Sequence, residues 1–283
     1  MLPALFVTRF APSPTGRLHR GHALSALTAW QAARRAGGRF LLRIEDIDAQ
    51  RCRPAFETAM LEDLAWLGLD WETPVRRQSE HLDDYALALD RLRRRGVLYR
   101  CFRTRREILE DIGRAPHGAA PVLPSRPSPE EEALGLAEGR PFAWRLSVQD
   151  AGLALGGFEG LAFLETGSGP DGEWGLQTFR PSLGGDVILA RKDLGVSYHL
   201  AVVVDDAAQG VTHVIRGQDL FAATHTQRLL QAVLNLPTPV YGHHPLLLRA
   251  DGKRFAKRDS AETLDDIRRR GVTAAALRAE LGF

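Results

Sequence analysis

The chain has 283 residues, 44% of them hydrophobic and 25% charged, an ordinary globular composition with enough length to bury a sizeable core in one large or two modest domains. A formal net charge of +2 excludes the bulk basicity of a general nucleic-acid binder, so any RNA-facing surface must come from local clusters. No run approaches the ~20 apolar residues of a membrane span, the N-terminus lacks a signal-peptide pattern, and Cys52 and Cys101 lie far apart, so a reducing cytoplasm without membrane contact is expected.

Ala4-Leu5-Phe6-Val7 reads as a strand. The stretch Arg9-Phe10-Ala11-Pro12-Ser13-Pro14-Thr15-Gly16-Arg17-Leu18-His19-Arg20-Gly21-His22 follows it. Prolines and glycine there set a tight turn, and Ala23, Leu24, Leu27, Trp30 and Ala33 then recur at helical spacing up to Gly37-Gly38. A helix start offers unpaired N–H groups and the positive end of a dipole, so two imidazoles at its mouth suggest phosphate chemistry; the same residues also read as a capped turn with exposed histidines. Phe40 to Ile44 is the next strand, which completes a strand–helix–strand unit of a parallel sheet with its ligand edge at the strands' carboxyl ends. Glu45, Asp46 and Asp48 fall at that edge as a metal site, an amine site or a plain acidic loop.

Phe56 to Leu67 and Leu82 to Leu92 have amphipathic helical patterns. The second runs into Arg93-Arg94-Arg95-Gly96 and on through Arg100, Arg103, Arg105, Arg106 and Arg114, either a phosphate-tracking face or a solvated basic surface. Pro116 to Pro129, with Glu130-Glu131-Glu132 after it, reads as an exposed connection. Phe142 to Leu146 looks like a strand, and Gly152 to Gly185 like hairpins or loops of poor definition, so an inserted subdomain is expected over 100–185.

Asp186 to Ala190 returns to the strand pattern. Tyr198 and Leu200 to Val204 lead into Asp205-Asp206, and Val211 to Ile215 forms a strand that delivers Arg216 to the sheet's carboxyl edge. Thr224 to Leu234 is a helix, and Val240 to Leu248 leads into Asp251-Gly252-Lys253-Arg254-Phe255-Ala256-Lys257-Arg258. The chain's lysines are Lys192, Lys253 and Lys257, so a sequence that otherwise uses Arg places two compact, mobile ammonium groups in this one short loop. Leu264 to Arg270 and Ala274 to Leu281 leave room for two short helices.

These motifs resemble the class I aminoacyl-tRNA synthetases: His19-Arg20-Gly21-His22 is similar to their HIGH signature and Arg254-Phe255-Ala256-Lys257-Arg258 to their KMSKS loop. Arg9 to Gly16, Arg43 to Asp46, Leu200 to Asp206 and Val214 to Leu220 narrow the resemblance to the glutamyl and glutaminyl branch, over nearly the whole chain. The implied fold is α/β, a Rossmann-like parallel sheet with an inserted acceptor-type α+β subdomain and short C-terminal helices. The catalytic domain would occupy 1–99 and 186–258, the insertion 100–185, and 259–283 a short helical end without an anticodon-binding domain.

The implied substrates are L-glutamate and ATP, with Mg2+ accompanying the nucleotide. His19, His22 and Lys257 would be catalytic; His19, Gly21, His22 and Lys257 would hold ATP. Arg9, Phe10, Ala11, Pro12, Ser13, Tyr198 and Arg216 would form the glutamate site, with Glu45 as partner of the α-amino group. Arginine forks suit a carboxylate, and glutamine would leave them underpaired. The α-carboxylate is already ionised at pH 7, so adenylate formation needs positioning and charge stabilisation and no general base.

Two departures stand out. Ala256 and Arg254 replace the family's serine and first lysine. Where relatives often hold zinc through a Cys-x-Cys pair, a tyrosine and a further cysteine, this chain has Tyr99, Cys101 and Arg103, with no cysteine downstream and His117 as one remaining donor, so zinc is not expected. Only 25 residues follow Arg258, which resembles the truncated branch of the family that places glutamate on the queuosine base in the anticodon of tRNA(Asp). A discriminating glutamyl-tRNA synthetase needing a separate partner, a catalytically silent RNA-binding paralogue, and a nucleotidyltransferase for another small acid remain as alternatives. A monomer is expected.

Overall fold

The structure is a computed structural model that describes residues 5–104, 107, 126–191, 195–247 and 262–283. Lys192, Lys253 and Lys257, together with Arg105, Arg106, Arg114 and His117, lie outside the described residues.

In chain order the strands are β1 (Val7–Phe10), β2 (Arg39–Ile44), β3 (Glu72–Arg77), β4 (Leu98–Cys101), β5 (Ala143–Leu146), β6 (Ala162–Glu165), β7 (Gly175–Thr178), β8 (Ile188–Arg191), β9 (Gly195–Val196), β10 (His213–Gly217) and β11 (Val240–His244). β1, β2 and β3 pair in parallel, and so do β10, β11 and β6, with β7 antiparallel at the edge. The two groups meet where the Thr212 N–H donates to the Val7 carbonyl at 2.9 Å and the Val7 N–H to Thr212 Oγ1 at 2.8 Å. Through that contact the strand sequence runs β3, β2, β1, β10, β11, β6, β7. From β1 the chain winds one way through the helix Arg20–Arg35 to β2; from β10 it winds the other way through the helix Phe221–Leu234 to β11. The β1/β10 boundary is therefore a topological switch point, where a crevice opens at the strands' carboxyl ends.

The central strands are largely buried, polar residues included: β1 is buried throughout and β2 from Phe40 to Ile44. One core packs Leu27, Leu42 and Leu64 with Leu264, Ile267 and Leu277 of the C-terminal helices Leu264–Arg269 and Ala274–Glu280. A second lies among Leu92, Leu146, Leu189, Leu200 and Leu230.

β4, β5, β8 and β9 form an antiparallel sheet that overlaps the expected insertion at 100–185 but extends past both of its ends, from Leu98 to Val196. The stretch Gly152 to Gly185, read from sequence as hairpins or loops of poor definition, does hold a hairpin, β6–β7, and its strand β6 joins β11 in parallel, where it buries Phe163 and Glu165. Residues Pro129–Ala137, read as connection, form a helix capped by Ser128 and Glu131. Of the basic run, Arg95 donates to the Val233 carbonyl and, just before the run, Arg91 to that of Leu234 at 2.7 Å, holding the last carbonyls of the helix Phe221–Leu234. Of the positions where relatives often hold zinc, the Tyr99 hydroxyl donates to Asp186 at 3.0 Å, and burial and Asp186 push its pKa up. No helix among the described residues is long and apolar enough to cross a membrane.

Candidate active site

A cavity of about 550 Å³ opens at the switch point. Arg9, Phe10, Ala11 and Ser13 line it from the end of β1, Glu45 from the end of β2, Arg216 and Gly217 from the end of β10, with His19, Gly21, His22 and Tyr198. The loop after β1 keeps its shape because its carbonyls are used: Pro12 accepts from the Glu45 N–H and Pro14 from that of Arg53, both at 3.0 Å. Pro12 is buried behind the wall, so its carbonyl fixes Glu45 and its side chain does not line the cavity.

His19 is the N-cap of the helix Arg20–Arg35. Its Nδ1 accepts from the Gly21 N–H at 3.1 Å, while His22 Nδ1 accepts from the His19 N–H at 3.2 Å. An accepting Nδ1 leaves the proton of the neutral ring on Nε2. Both imidazoles, with centroids 3.8 Å apart, therefore present N–H donors at a helix start, a suitable receptor for phosphate. Glycine at 21 leaves the His19 ring its room: a Cβ there would lie 3.0 Å from His19 Cε1 and press on the ring.

The described residues flanking the lysine loop are anchored here. Leu246 and Leu247 line the cavity before it; after it Thr263 bridges to His19, and Arg20 pairs with Glu262 at 2.5 Å and Glu280 at 2.8 Å.

Glu45 is held by a buried lattice. Arg43, fully buried, reaches Asp206 at 2.7 Å, Glu45 at 3.2 Å and Asp205 at 3.6 Å, and Arg9 pairs with Asp206 through Nε at 3.0 Å and Nη2 at 3.3 Å. Asp205 also accepts from Arg76, Gln78 and the Tyr85 hydroxyl. Arg9, Arg43 and Arg76 are thus matched by Glu45, Asp205 and Asp206. Burial would raise Asp206, but Arg9 and Arg43 outweigh it and hold its carboxyl below the usual range. Burial raises Glu45, against the pull of Arg43 and Arg9, and a substrate cation beside it would lower it again.

Arg216 is held differently. It donates to Tyr198 Oη at 3.3 Å, Thr224 Oγ1 at 2.7 Å, the Leu220 carbonyl at 3.3 Å and His243 Nε2 at 3.2 Å, all neutral acceptors. Its charge reaches the neighbouring His199, which burial first and Arg216 second hold down at about 4. His244 lines the cavity with Nε2 3.0 Å from Ser25 Oγ. A second cavity, of about 410 Å³, shares Ser13, Glu45 and Tyr198 with the first and extends past Asp48 and Gln78 toward Val187 and His199.

Sequence reading therefore placed in one cavity Arg9, Phe10, Ala11, Ser13, His19, Gly21, His22, Glu45, Tyr198 and Arg216. It quoted Arg43, Asp205 and Asp206 only inside motifs and missed the ion-pair lattice they form with Arg76, whose signals were an arginine inside an apolar strand and paired aspartates closing an apolar run. Glu165, His243 and His244 were missed as well.

A parallel sheet with a phosphate-receptive helix start on one side of its switch point and a buried arginine receptor on the other is the architecture of a nucleotide-dependent activating enzyme. The family model for class I tRNA synthetases (E and Q), catalytic domain, matches residues 6–149 and 175–282. The glutamyl-Q tRNA(Asp) synthetase of Rhodobacter capsulatus is 47% identical over 98% of this chain and 100% of its own length. A glutamate–tRNA ligase of Prochlorococcus marinus is 39% identical over 95% of this chain and 56% of its own length. A crystal structure of a glutamate tRNA ligase from Elizabethkingia meningosepticum in complex with its amino acid superposes with a TM-score of 0.71 at 27% identity, covering 90% of this chain and 52% of that one. The chain belongs to the class I tRNA synthetases of the E and Q type, a family of ATP-using ligases.

Proposed function

We propose that this chain activates L-glutamate with ATP, without needing tRNA, and transfers the glutamyl group to the queuosine base in the anticodon of tRNA(Asp). The observation that carries the amino-acid half is the cavity at the switch point, which has Arg216 and Tyr198 as donors for a carboxylate, Glu45 as an anion for an ammonium, and His19 and His22 as phosphate donors. A glutamate seated between Arg216 and Glu45 would direct its α-carboxylate at the α-phosphate. An oxygen–phosphorus bond forms there as the bond to pyrophosphate breaks, and a queuosine hydroxyl then attacks the acyl carbon with AMP leaving. The imidazole N–H groups stabilise charge on the phosphate oxygens, and Lys257 is assigned the same work.

The phosphate end of the described wall offers His19, His22 and helix N–H groups and no carboxylate cluster, which fits a magnesium ion carried on ATP's own phosphate oxygens. When bound, that ion neutralises the leaving pyrophosphate. The expected inserted subdomain at 100–185 would be built on the antiparallel sheet β4-β5-β8-β9, whose strands β8 and β9 lie past residue 185, and the second cavity is taken as the approach for the acceptor.

The queuosine half is supported by the higher identity to the relative named for glutamyl-Q than to the ligase named for glutamate. Incubation with radiolabelled glutamate, ATP and either queuosine-bearing or queuosine-free tRNA(Asp) tests it. Label on the modified tRNA alone is expected; label on tRNA(Glu) instead would favour a glutamyl-tRNA synthetase. Glutamate-dependent ATP–pyrophosphate exchange without tRNA tests the first half, and its absence at high enzyme would favour a silent RNA binder.

A further inference from the structure

Arg216 is backed by a chain of hydrogen bonds that crosses three adjacent strands at their carboxyl ends. His243 on β11 is the register partner of Arg216 on β10, and Glu165 closes β6 on the far side of β11. All three side chains are buried. Arg216 Nε always carries a hydrogen, so at 3.2 Å it can only donate, and His243 Nε2 must accept. The imidazole proton then sits on Nδ1 and is donated to Glu165 Oε2 at 2.6 Å. Glu165 Oε1 is occupied as well, accepting from the backbone N–H groups of His243 and Gly167, both at 2.8 Å. That close passage needs glycine at 167, where a Cβ would lie 2.1 Å from the His243 carbonyl oxygen.

The charges agree with this assignment. Burial holds the His243 imidazole below its ordinary pKa although Glu165 pulls the other way. Burial would raise Glu165, but its hydrogen bonds from His243 and Gly167 prevail and keep it ionised.

We propose that Glu165 and His243 are positioning residues for Arg216: the carboxylate selects the Nδ1–H tautomer of His243, and only that tautomer presents the lone pair that orients the Arg216 fork toward the substrate's carboxylate. This rests on the reading of Arg216 as the glutamate receptor and adds how the receptor is kept in register. Neither residue touches substrate. Their contribution is the direction in which the Arg216 donors point.

The isosteric change Glu165→Gln tests the chain with almost no change of volume. Two backbone N–H groups converge on Oε1, so the amide oxygen must occupy that position and the amide NH2 must face His243 Nδ1. The imidazole is then driven to the Nε2–H tautomer, and two donors oppose each other at Arg216. The expected result is a rise of about 10-fold or more in KM for glutamate in pyrophosphate exchange, with kcat and KM for ATP within about 2-fold of wild type. His243→Gln, which keeps an acceptor within reach of Arg216, should lie closer to wild type than His243→Leu. In 15N spectra, wild-type His243 should show a protonated Nδ1, and the Glu165→Gln variant a protonated Nε2.

An unchanged KM for glutamate in a folded Glu165→Gln protein, or a protonated Nε2 in the wild type, overturns the proposal. The tautomer measurement needs no turnover and decides the proposal by itself. Absence of glutamate-dependent exchange in the wild type would instead overturn the glutamate reading.

Discussion

Arg9 and Arg216 end neighbouring strands, line the same cavity and look alike in the sequence, yet they are in opposite electrostatic situations. Arg9 spends two of its donors on Asp206, which belongs to a lattice where cations and anions balance. Arg216 touches neutral acceptors throughout, so its charge has no carboxylate partner among the described residues. A buried guanidinium without an anion is costly unless a ligand supplies one. On the proposed reading the first arginine belongs to the wall, tied through Asp206 to the Arg43 that holds Glu45, whereas the second would receive the substrate carboxylate.

That division can be broken most forcefully from the lattice side. Asp206→Asn strips the shared anion from Arg9 and Arg43, and loss of one partner from a buried ion pair costs about 3–5 kcal/mol. Urea unfolding should show that loss in a shifted midpoint, and a shift no larger than that of a surface substitution would mean the lattice is not structural. The phosphate end belongs to neither arginine and should respond separately. Gly21→Ala would press the His19 ring by a few tenths of an ångström and should lower kcat for exchange by up to about 10-fold, with KM for glutamate little changed. A matching rise in KM for glutamate would tie His19 to the amino-acid side instead.

The smallest effect is a pH slope far from both. His225 Nδ1 accepts from the Arg180 N–H at 3.1 Å, its Nε2 is buried without a partner, and burial holds its pKa at about 4. The unfolded chain binds this proton near pH 6.5 and the folded chain only near 4, so between those values the unfolded state holds more protons and stability falls as pH falls. The contribution is at most about 1.4 kcal/mol per pH unit, and His225→Gln should flatten that part of the stability curve.

Much of this arrangement was legible from sequence because it is local. The capped start at His19, the strand ends at Glu45 and Arg216, and the strand and helix patterns around them all follow from turn residues and periodicity over a few positions. Every predicted site residue among those described lies at the cavity wall, except Pro12, which acts through its carbonyl. What was not legible depends on partners distant in the chain. Arg9 meets Asp206 across 197 positions, and nothing near either residue announces the pairing. Glu165 ends a strand in a glycine-rich stretch that pairs along its length with β7 and at Glu165 with β11, so its role could be seen only once β6 was placed beside β11. Lys257 lies outside the described residues, and its role rests on the motif that contains it.

Glutamate affinity of Arg216→Met, measured by titration calorimetry beside its melting temperature, is the most direct trial of the division between the two arginines. Affinity should fall about 100- to 1,000-fold, as expected for loss of one partner of a desolvated charge pair, while the melting temperature holds or rises because an unmatched buried charge has gone. Wild-type affinity in that variant, or a collapse of its stability with affinity per folded molecule unchanged, would contradict the account.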